Sequence, residues 1–103
     1  GGMAQLMKQA NQMQLKMKKA QEELAKREFD GTSGGGVVKV KVNGDHKLLS
    51  VQIDPEVIKA GDVEMLQDLI LTAANDAIEL ARKTNASEME KITGGIGGMP
   101  GMF

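Results

Sequence analysis

Apolar residues recur every three or four positions along the first quarter of the chain. They fall at Met3, Leu6, Ala10, Met13, Met17, Ala20 and Leu24. This alternation is a heptad seam, the stripe by which one helix packs against another. The residues between them are mainly Gln, Lys, Glu and Ala, which favour helix, and no Pro or Gly interrupts them. The pattern predicts one helix of about 25 residues, near ~37 Å in length.

So long a helix has no obvious partner within so short a chain. The pattern therefore favours self-association, either through the seam or through the surface that packs against the base of the helix. The predicted seam consists of Leu6, Ala10, Met13, Met17, Ala20 and Leu24. Four of the eight methionines lie on this helix, at positions 3, 7, 13 and 17. Met13 and Met17 fill a flexible seam or, alternatively, the methionines offer an adaptable surface to several partner proteins.

The pattern then changes to a period of two, which is typical of strands with one buried face. Val38, Val40 and Val42 alternate with Lys39 and Lys41, and Leu49, Val51 and Ile53 alternate with Ser50 and Gln52. Between these strands Asn43-Gly44 predicts a turn, because both residues tolerate positive φ. Residues 29–33 predict a short further strand, with glycines 34–36 as its turn. Asp54-Pro55 ends the sheet, since Pro lacks a donor for the ladder.

A second amphipathic helix begins near Asp62, a plausible N-cap. Its apolar face is wide enough to cover a sheet and comprises Leu66, Leu69, Ile70, Ala73, Ala74, Ala77, Ile78 and Ala81. The sequence Asn85–Glu88 resembles a capping box, so the helix either breaks there or continues toward Thr93. The fold expected is α+β, with one domain over residues 1–93 and a flexible Gly/Met-rich tail over residues 94–103.

Composition excludes several kinds of chemistry. Without cysteine there is no thiol catalysis, disulfide or thiolate metal site, which fits a reducing cytoplasm. A single histidine, His46, lies in a predicted turn with no second ligand, so neither a metal nor a catalytic role is expected. Glycines 34–36 precede a strand, not the helix N-terminus that a phosphate loop needs. No cofactor, enzyme activity, membrane span or signal peptide is expected.

The formal net charge of −1 conceals an uneven distribution. Residues 1–27 hold six basic and two acidic side chains, a net of +4, whereas the remaining residues hold seven basic and twelve acidic ones, a net of −5. Such a basic segment is a pointer to a polyanion. The candidate DNA contacts are Lys8, Lys16, Lys18, Lys19, Lys26 and Arg27, with Lys39 and Lys41 on a sheet face expected to be exposed.

The alternative is a solvated helix face with internal ion pairs. Four pairs at i,i+4 spacing are available: Lys18–Glu22, Lys19–Glu23, Glu22–Lys26 and Glu23–Arg27. Lys8 and Lys16 have no acid three or four residues away, and dimerisation would double the cationic charge on one particle. With two Phe and no Tyr or Trp, the chain lacks the rings on which single-stranded bases stack. Duplex DNA held by its phosphates needs none.

Four segments carry a family resemblance. They are "LMKQANQMQLKMKKAQEEL", "GGGVVKVKVNGDHKLLSVQIDPEVI", "EMLQDLILTAANDAI" and "ITGGIGGMPGMF". Over nearly its whole length the chain resembles the bacterial YbaB/EbfC family of nucleoid-associated DNA-binding proteins. The resemblance implies an α-β-β-β-α homodimer shaped like tweezers, located in the cytoplasm and associated with the nucleoid.

The resemblance also implies a non-enzymatic protein that contributes to chromosome organisation and gene regulation. Its members are often encoded beside recombination genes. Two alternative functions are therefore expected. The first is a homodimer that binds double-stranded DNA through its phosphates with little sequence selectivity. The alternative is a dimeric interaction module that recruits proteins such as recombination or other nucleoid proteins, with DNA contact incidental.

Overall fold

The structure is a computed structural model that describes residues 1–97, with side chains described as far as Gly94. The helices are α1 (Gly2–Lys26), α2 (Pro55–Lys59) and α3 (Val63–Gly97), and the strands are β1 (Glu28–Ser33), β2 (Val38–Asn43) and β3 (Leu48–Ile53). A single 3₁₀ turn at Gly34–Gly36 joins β1 to β2. The α+β class and the α-β-β-β-α order predicted from the sequence are confirmed, apart from the additional short α2.

The three strands form one antiparallel sheet in the order β1-β2-β3. The 3₁₀ turn needs its glycines, because Gly34, Gly35 and Gly36 all have positive φ. Val38, Val40 and Val42 are fully buried, as their period of two predicted. The β2–β3 ladder has an irregularity between Lys41 and Val42. β2 is thus the central strand, and β1 and β3 are the two edges.

Helix α3 packs across β1 and β2, and this contact forms the core. Its contact stripe is made of the small residues Ala73, Ala77 and Ala81, all fully buried. Opposite them lies Gly31, where an added Cβ would overlap the backbone of Ala73 and Ala77. Backbone therefore lies directly on backbone, and Ser33 reinforces the contact by donating a 2.6 Å hydrogen bond to the Leu69 carbonyl.

The β2–β3 turn differs from the one predicted. The residue with positive φ is His46, at 65°, not Asn43 or Gly44. Asn43 instead acts through its side chain, because its Oδ1 accepts hydrogen bonds from the backbone N–H groups of Asp45 (2.9 Å) and Lys47 (3.1 Å). Gly44 is required for another reason, since an added Cβ would overlap the Leu24 carbonyl at the end of α1.

Helix α2 was missed by the sequence interpretation, which treated Asp54-Pro55 only as the end of the sheet. Asp54 is its N-cap, accepting a 2.9 Å hydrogen bond from Glu56 N–H, and Pro55 occupies the first helical position. An Asp-Pro-Glu sequence carries this signal, because Pro at the first position loses no helical hydrogen bond. Asp62 caps α3 as predicted, through a 2.9 Å bond from Met65 N–H.

Helix α3 runs through Asn85–Glu88 without a break, which resolves the alternative left open by the capping-box sequence. It is described as far as Gly97, with a non-helical backbone at Gly94 (φ 10°, ψ −86°). Residues 98–103 lie outside the described residues. The proposed division into a domain over residues 1–93 and a flexible tail over residues 94–103 remains a prediction.

The part of α3 beyond the sheet supplies the partner for α1 that the sequence did not reveal. α1 runs toward the sheet and α3 runs away from it, so the two helices pack antiparallel. Along the seam the exposed fraction falls from 73% at Met3 and 62% at Leu6 to 5% at Leu24, with Met13, Met17 and Ala20 half-buried between them. We call residues 1–27 together with residues 82–97 the arm, and residues 28–81 the body.

Candidate nucleic-acid interface

Charge divides sharply between the arm and the body. The body holds four basic and ten acidic side chains, a net of −6. In the arm, residues 1–27 carry a net of +4 and residues 82–97 a net of +1. Residues 1–21, which form most of α1, contain four lysines and no acid at all. A polyanion is therefore attracted to the arm and repelled by the body.

Four of the five lysines of α1 lie on the side of the helix away from the seam, and Lys16 lies beside the seam. At about 100° per residue, Lys8, Lys19 and Lys26 are nearly opposite Leu24, with Lys16 and Lys18 on either flank. All five are exposed. Because the seam packs against α3, this side of α1 faces solvent along its whole length. Packing of the seam thus orients a row of ammonium groups outward.

None of the four ion pairs expected along α1 is present among the side chains that the structure describes. The six ion pairs found there involve no lysine of α1. Exposed pairs of this kind gain little, since ordering two long side chains offsets the attraction. The lysines at positions 8, 16, 18, 19 and 26 are therefore available for phosphate contacts.

Arg27 differs from these lysines, because it lies where the arm meets the body. Its guanidinium is 3.9 Å from a Glu88 carboxylate oxygen and 5.7 Å from the centre of the Phe29 ring. Both contacts connect the end of α1 to another element. Arg27 therefore has an acid and an aromatic ring as neighbours, which the lysines of α1 do not.

The two lysines of the sheet, Lys39 and Lys41, also differ in their exposure and in their acidic neighbours. Lys39 is exposed on the face of the sheet opposite α3 and forms no ion pair with the described side chains. Lys41 is half-exposed and lies 3.3 Å from a Glu28 carboxylate oxygen, with Asp30 opposite it in the ladder. The acids of β1 offset the lysines of β2 on this face. It is a weaker anion surface than α1.

The remaining cations of the arm, which lie on α3, are engaged with acids. Arg82 lies 2.6 Å and Lys83 3.8 Å from Glu79 carboxylate oxygens, and Lys91 lies 3.4 Å from Glu88. The hydrogen bond from Arg82 lowers the pKa of Glu79 below its ordinary value and raises the pKa of Arg82. This part of α3 contributes less free positive charge than α1 does.

The described part of the chain holds no cluster of potential metal ligands, since no three His, Cys, Asp or Glu side chains within it stand close enough to hold a metal ion. His46 lies exposed in the β2–β3 turn. A hollow of about 350 Å³ at the junction of arm and body is lined by Gln21, Leu24, Ala25, Gly44, Asp45, Asn85 and Met89, which include no nucleophile beside a base. No helix within residues 1–97 is long and apolar enough to cross a membrane.

The two edges of the sheet differ in a way that bears on assembly. β1 carries Glu28 and Asp30, and the N–H of Thr32 at this edge donates to the Asp76 carboxylate at 3.3 Å. β3 carries no charge, yet Leu48, Leu49 and Val51 are 43–47% exposed. Natural proteins protect free edges with charge, and an uncharged apolar edge is a surface for pairing. β3 is the unprotected edge.

These features define a class of protein, a small α+β body that carries a cationic two-helix arm. The comparisons agree with this class. A nucleoid-associated protein of Clostridium novyi (strain NT) is 54% identical over 98 residues, which cover 95% of this chain and 85% of that protein. A nucleoid-associated protein of Chloroflexus aurantiacus (strain ATCC 29366 / DSM 635 / J-10-fl) is 50% identical over 95 residues, covering 92% and 95% respectively.

The fold has a solved counterpart in the crystal structure of an uncharacterized protein from Helicobacter pylori. The TM-score is 0.74 at 25% identity, over 88% of this chain and 96% of that one. Residues 1–96 match the YbaB/EbfC DNA-binding family. The chain belongs to this family of nucleoid-associated DNA-binding proteins, as its sequence resemblance predicted.

Proposed function

We propose that this protein binds duplex DNA as a homodimer, mainly through the backbone phosphates and with little sequence selectivity. In this role it contributes to chromosome organisation and gene regulation in the bacterial nucleoid. The observation that carries the proposal is the row of lysines on α1, turned outward by the packed seam and free of ion pairs with the described side chains. Four of the five lie in residues 1–21, which contain no acid. The acidic body makes the arm the cationic surface of the molecule.

The side chains on this surface favour phosphate contacts over base contacts. Lysine is a flexible point charge, and the forked arginine that reads guanine in the major groove is missing from residues 1–26. Arg27 is engaged with Glu88 and Phe29. Backbone contacts position a protein on a duplex without conveying sequence, and they release counterions. Binding should therefore be weakly selective and strongly dependent on salt.

The unprotected β3 edge supports the homodimer. Two copies joined edge to edge through β3 would continue the sheet and cover Val51 and its exposed neighbours. Leu71, which is 61% exposed on the flank of α3 away from Asp76, would add apolar surface to the same contact. Such a dimer carries two arms, so one particle presents two rows of lysines to a duplex.

A salt titration of binding to a short duplex tests the proposed function. We expect the logarithm of the affinity to fall linearly with the logarithm of the salt concentration, by about 0.9 for each phosphate that is bound. Single-stranded DNA of the same length should bind more weakly, because the chain has few aromatic rings.

The matched variants are Lys8→Glu with Lys16→Glu in the arm, and Lys47→Glu with Lys59→Glu in the body, where both lysines are exposed. Lys59 lies 3.3 Å from Glu56, far along the chain from α1. The double change in the arm should abolish most duplex binding, whereas the double change in the body should leave it nearly intact. Duplex affinity that survives the double change in the arm would remove the arm from the mechanism and favour the protein-recruiting alternative.

A further inference from the structure

The β2–β3 turn is a place where the body contacts both helices of the arm. On the side of α1, Gly44 lies so close that an added Cβ would overlap the Leu24 carbonyl. On the side of α3, the Nδ2 of Asn85 donates a 3.0 Å hydrogen bond to the Gly44 carbonyl oxygen, across 41 residues of chain. One glycine of the body therefore lies against the end of α1 and is bonded to the arm part of α3. We call Gly44 and Asn85 the latch.

Hydrogen bonds hold the turn in one shape, so the turn can act as a firm support for the arm. The Oδ1 of Asn43 accepts hydrogen bonds from the N–H groups of Asp45 and Lys47. The His46 N–H donates to the Asn43 carbonyl at 2.9 Å, and the Asn43 N–H donates to the Lys47 carbonyl at 3.0 Å. Because the support is fixed in this way, the direction of the arm depends on how the arm is attached to Gly44.

Stability alone does not explain an asparagine at position 85. Asn85 is half-buried, and its Oδ1 is shielded from solvent without a hydrogen-bond donor among the described residues. A buried polar atom without a partner lowers stability, so an apolar side chain would suit this place about as well. In coiled coils a single buried asparagine fixes one register at a similar cost in stability. The parallel indicates that Asn85 selects one arrangement of arm and body.

We propose that Asn85 is a positioning residue for DNA binding. Its hydrogen bond to Gly44 fixes the direction of the arm, and with it the row of lysines on α1, relative to the sheet. The proposal rests on the proposed function, because duplex phosphates are the ligand that the row must meet. It goes beyond that function by assigning a role in binding to a residue that does not touch DNA.

A small rotation at the base of the arm displaces the lysines far from that base. At 1.5 Å per residue α1 is about 37 Å long, so a rotation of about 15° moves its far end by about 10 Å. Phosphates follow one another every ~3.4 Å along the axis on each strand of a duplex, so this displacement separates the row from its phosphates. In a dimer both rows must meet one duplex, and a loosely held second arm has a lower effective concentration there. The latch therefore raises affinity by fixing geometry.

Asn85→Leu and Thr84→Leu form a matched pair of variants. Both residues are half-buried on α3, and because they are neighbours their side chains project about 100° apart. Asn85→Leu removes the bond to Gly44 together with the unpaired Oδ1, so the unfolding midpoint should change little. Its duplex affinity should nevertheless fall about tenfold or more, whereas Thr84→Leu should keep the wild-type affinity. Asn85→Ala loses the same bond without overfilling the space, and it provides the test if the leucine variant does not fold.

Spin labels measure the direction of the arm without DNA, in a chain that has no cysteine. One label is attached at Leu15→Cys on α1 and the other at Thr32→Cys on β1, both of which are exposed positions. An excess of unlabelled protein keeps each measured distance within one chain. The distribution of distances should be narrow with Asn85 intact and in Thr84→Leu, and it should be broad or displaced in Asn85→Leu and Asn85→Ala.

Three outcomes would overturn the proposal. The first is an Asn85 variant that keeps both the narrow distribution and the duplex affinity. The second is a loss of affinity that accompanies a lower unfolding midpoint and an unchanged distribution, because Asn85 would then act on stability alone. The third is an equal loss of affinity in Thr84→Leu. Failure of the wild type to bind duplex DNA would overturn the proposed function instead, and the label distances would still test whether the latch fixes the arm.

Discussion

The body and the arm each contain a long amphipathic helix, but the two helices serve different purposes. In the body, α3 buries Ala73, Ala77 and Ala81 directly against the backbone of β1, and the surface around this core is acidic. In the arm, α1 buries one narrow seam and leaves most of its surface to solvent, with an excess of lysine. Folding therefore depends mainly on the body, whereas the attraction of a polyanionic ligand depends on the arm. Charge on the arm can change without disturbing the core.

The largest effect is expected from Gly31→Val, which places a branched side chain where the backbone of Ala73 and Ala77 already lies. Helix α3 would have to move off the sheet, at a cost of about 3 kcal/mol or more in the free energy of unfolding. Urea denaturation measures this cost. Thr32→Val, one residue further along the same strand, is exposed and should change the unfolding free energy little; equal losses for the two variants would refute the close-packing account.

The next largest effect is expected at the base of the arm. Leu24 is 5% exposed, and Leu24→Ala should lower the free energy of unfolding by about 2–3 kcal/mol, since it removes a buried side chain at the junction with α3. The exposed Leu15 serves as the control, and Leu15→Ala should cost almost nothing. Because a loosened arm no longer holds its lysines in one row, Leu24→Ala should also weaken duplex binding. Unchanged unfolding midpoints for both variants would show that the seam does not anchor the arm.

A third change separates the two edges of the sheet. Val51→Lys adds a charge to the exposed apolar edge β3 and should weaken dimerisation by about tenfold to a hundredfold, because two copies would bring the new charges together. Thr32→Lys makes the same addition on β1. Sedimentation equilibrium should show dissociation for the β3 variant only. Dissociation caused by the β1 variant alone would transfer the interface to the other edge.

The smallest effect is expected on the face of the sheet. Lys39→Gln should lower the salt dependence of duplex binding slightly if this face touches phosphates, by about 0.9 in slope for each phosphate that is no longer bound. Lys41→Gln should lower it less, since Glu28 lies 3.3 Å from the Lys41 ammonium. Salt titrations of both variants beside Lys18→Gln test the ranking. A larger decrease for Lys41→Gln than for Lys18→Gln would place the DNA on the body.

Much of the fold could be predicted because local patterns agreed with the final contacts. The heptad spacing predicted α1, the alternating valines predicted β2, and Asp62 predicted the start of α3. Helix α2 carried a readable signal in Asp54-Pro55-Glu56 that was overlooked. The positive φ of His46 could not be read in the same way, because the Asn43 side chain and the approach of Leu24 to Gly44 decided the shape of that turn.

The sequence predicted which side chains belong to the candidate site, but not how they are grouped in space. The sequence singled out eight cations and set apart only Lys8 and Lys16, which have no acid at helical spacing, and the two lysines of the sheet. The structure separates all eight by their neighbours. The lysines of α1 are free of ion pairs with the described side chains, Arg27 contacts Glu88 and Phe29, and Lys41 contacts Glu28. The i,i+4 pairs suggested by spacing along α1 are absent among the described side chains, although exposed pairs at i,i+3 or i,i+4 spacing are present on α2 and α3.

The sequence by itself determined the elements of this protein and the family to which it belongs. Periodicity and turn chemistry act over a few residues, so they can be read from the chain directly. Only the tertiary structure decided that α3 extends to cover half of the α1 seam, that Gly31 lies against two alanines, and that one sheet edge is protected while the other is open. These contacts join residues that are far apart along the chain, and no local pattern encodes which distant surface a stripe will meet.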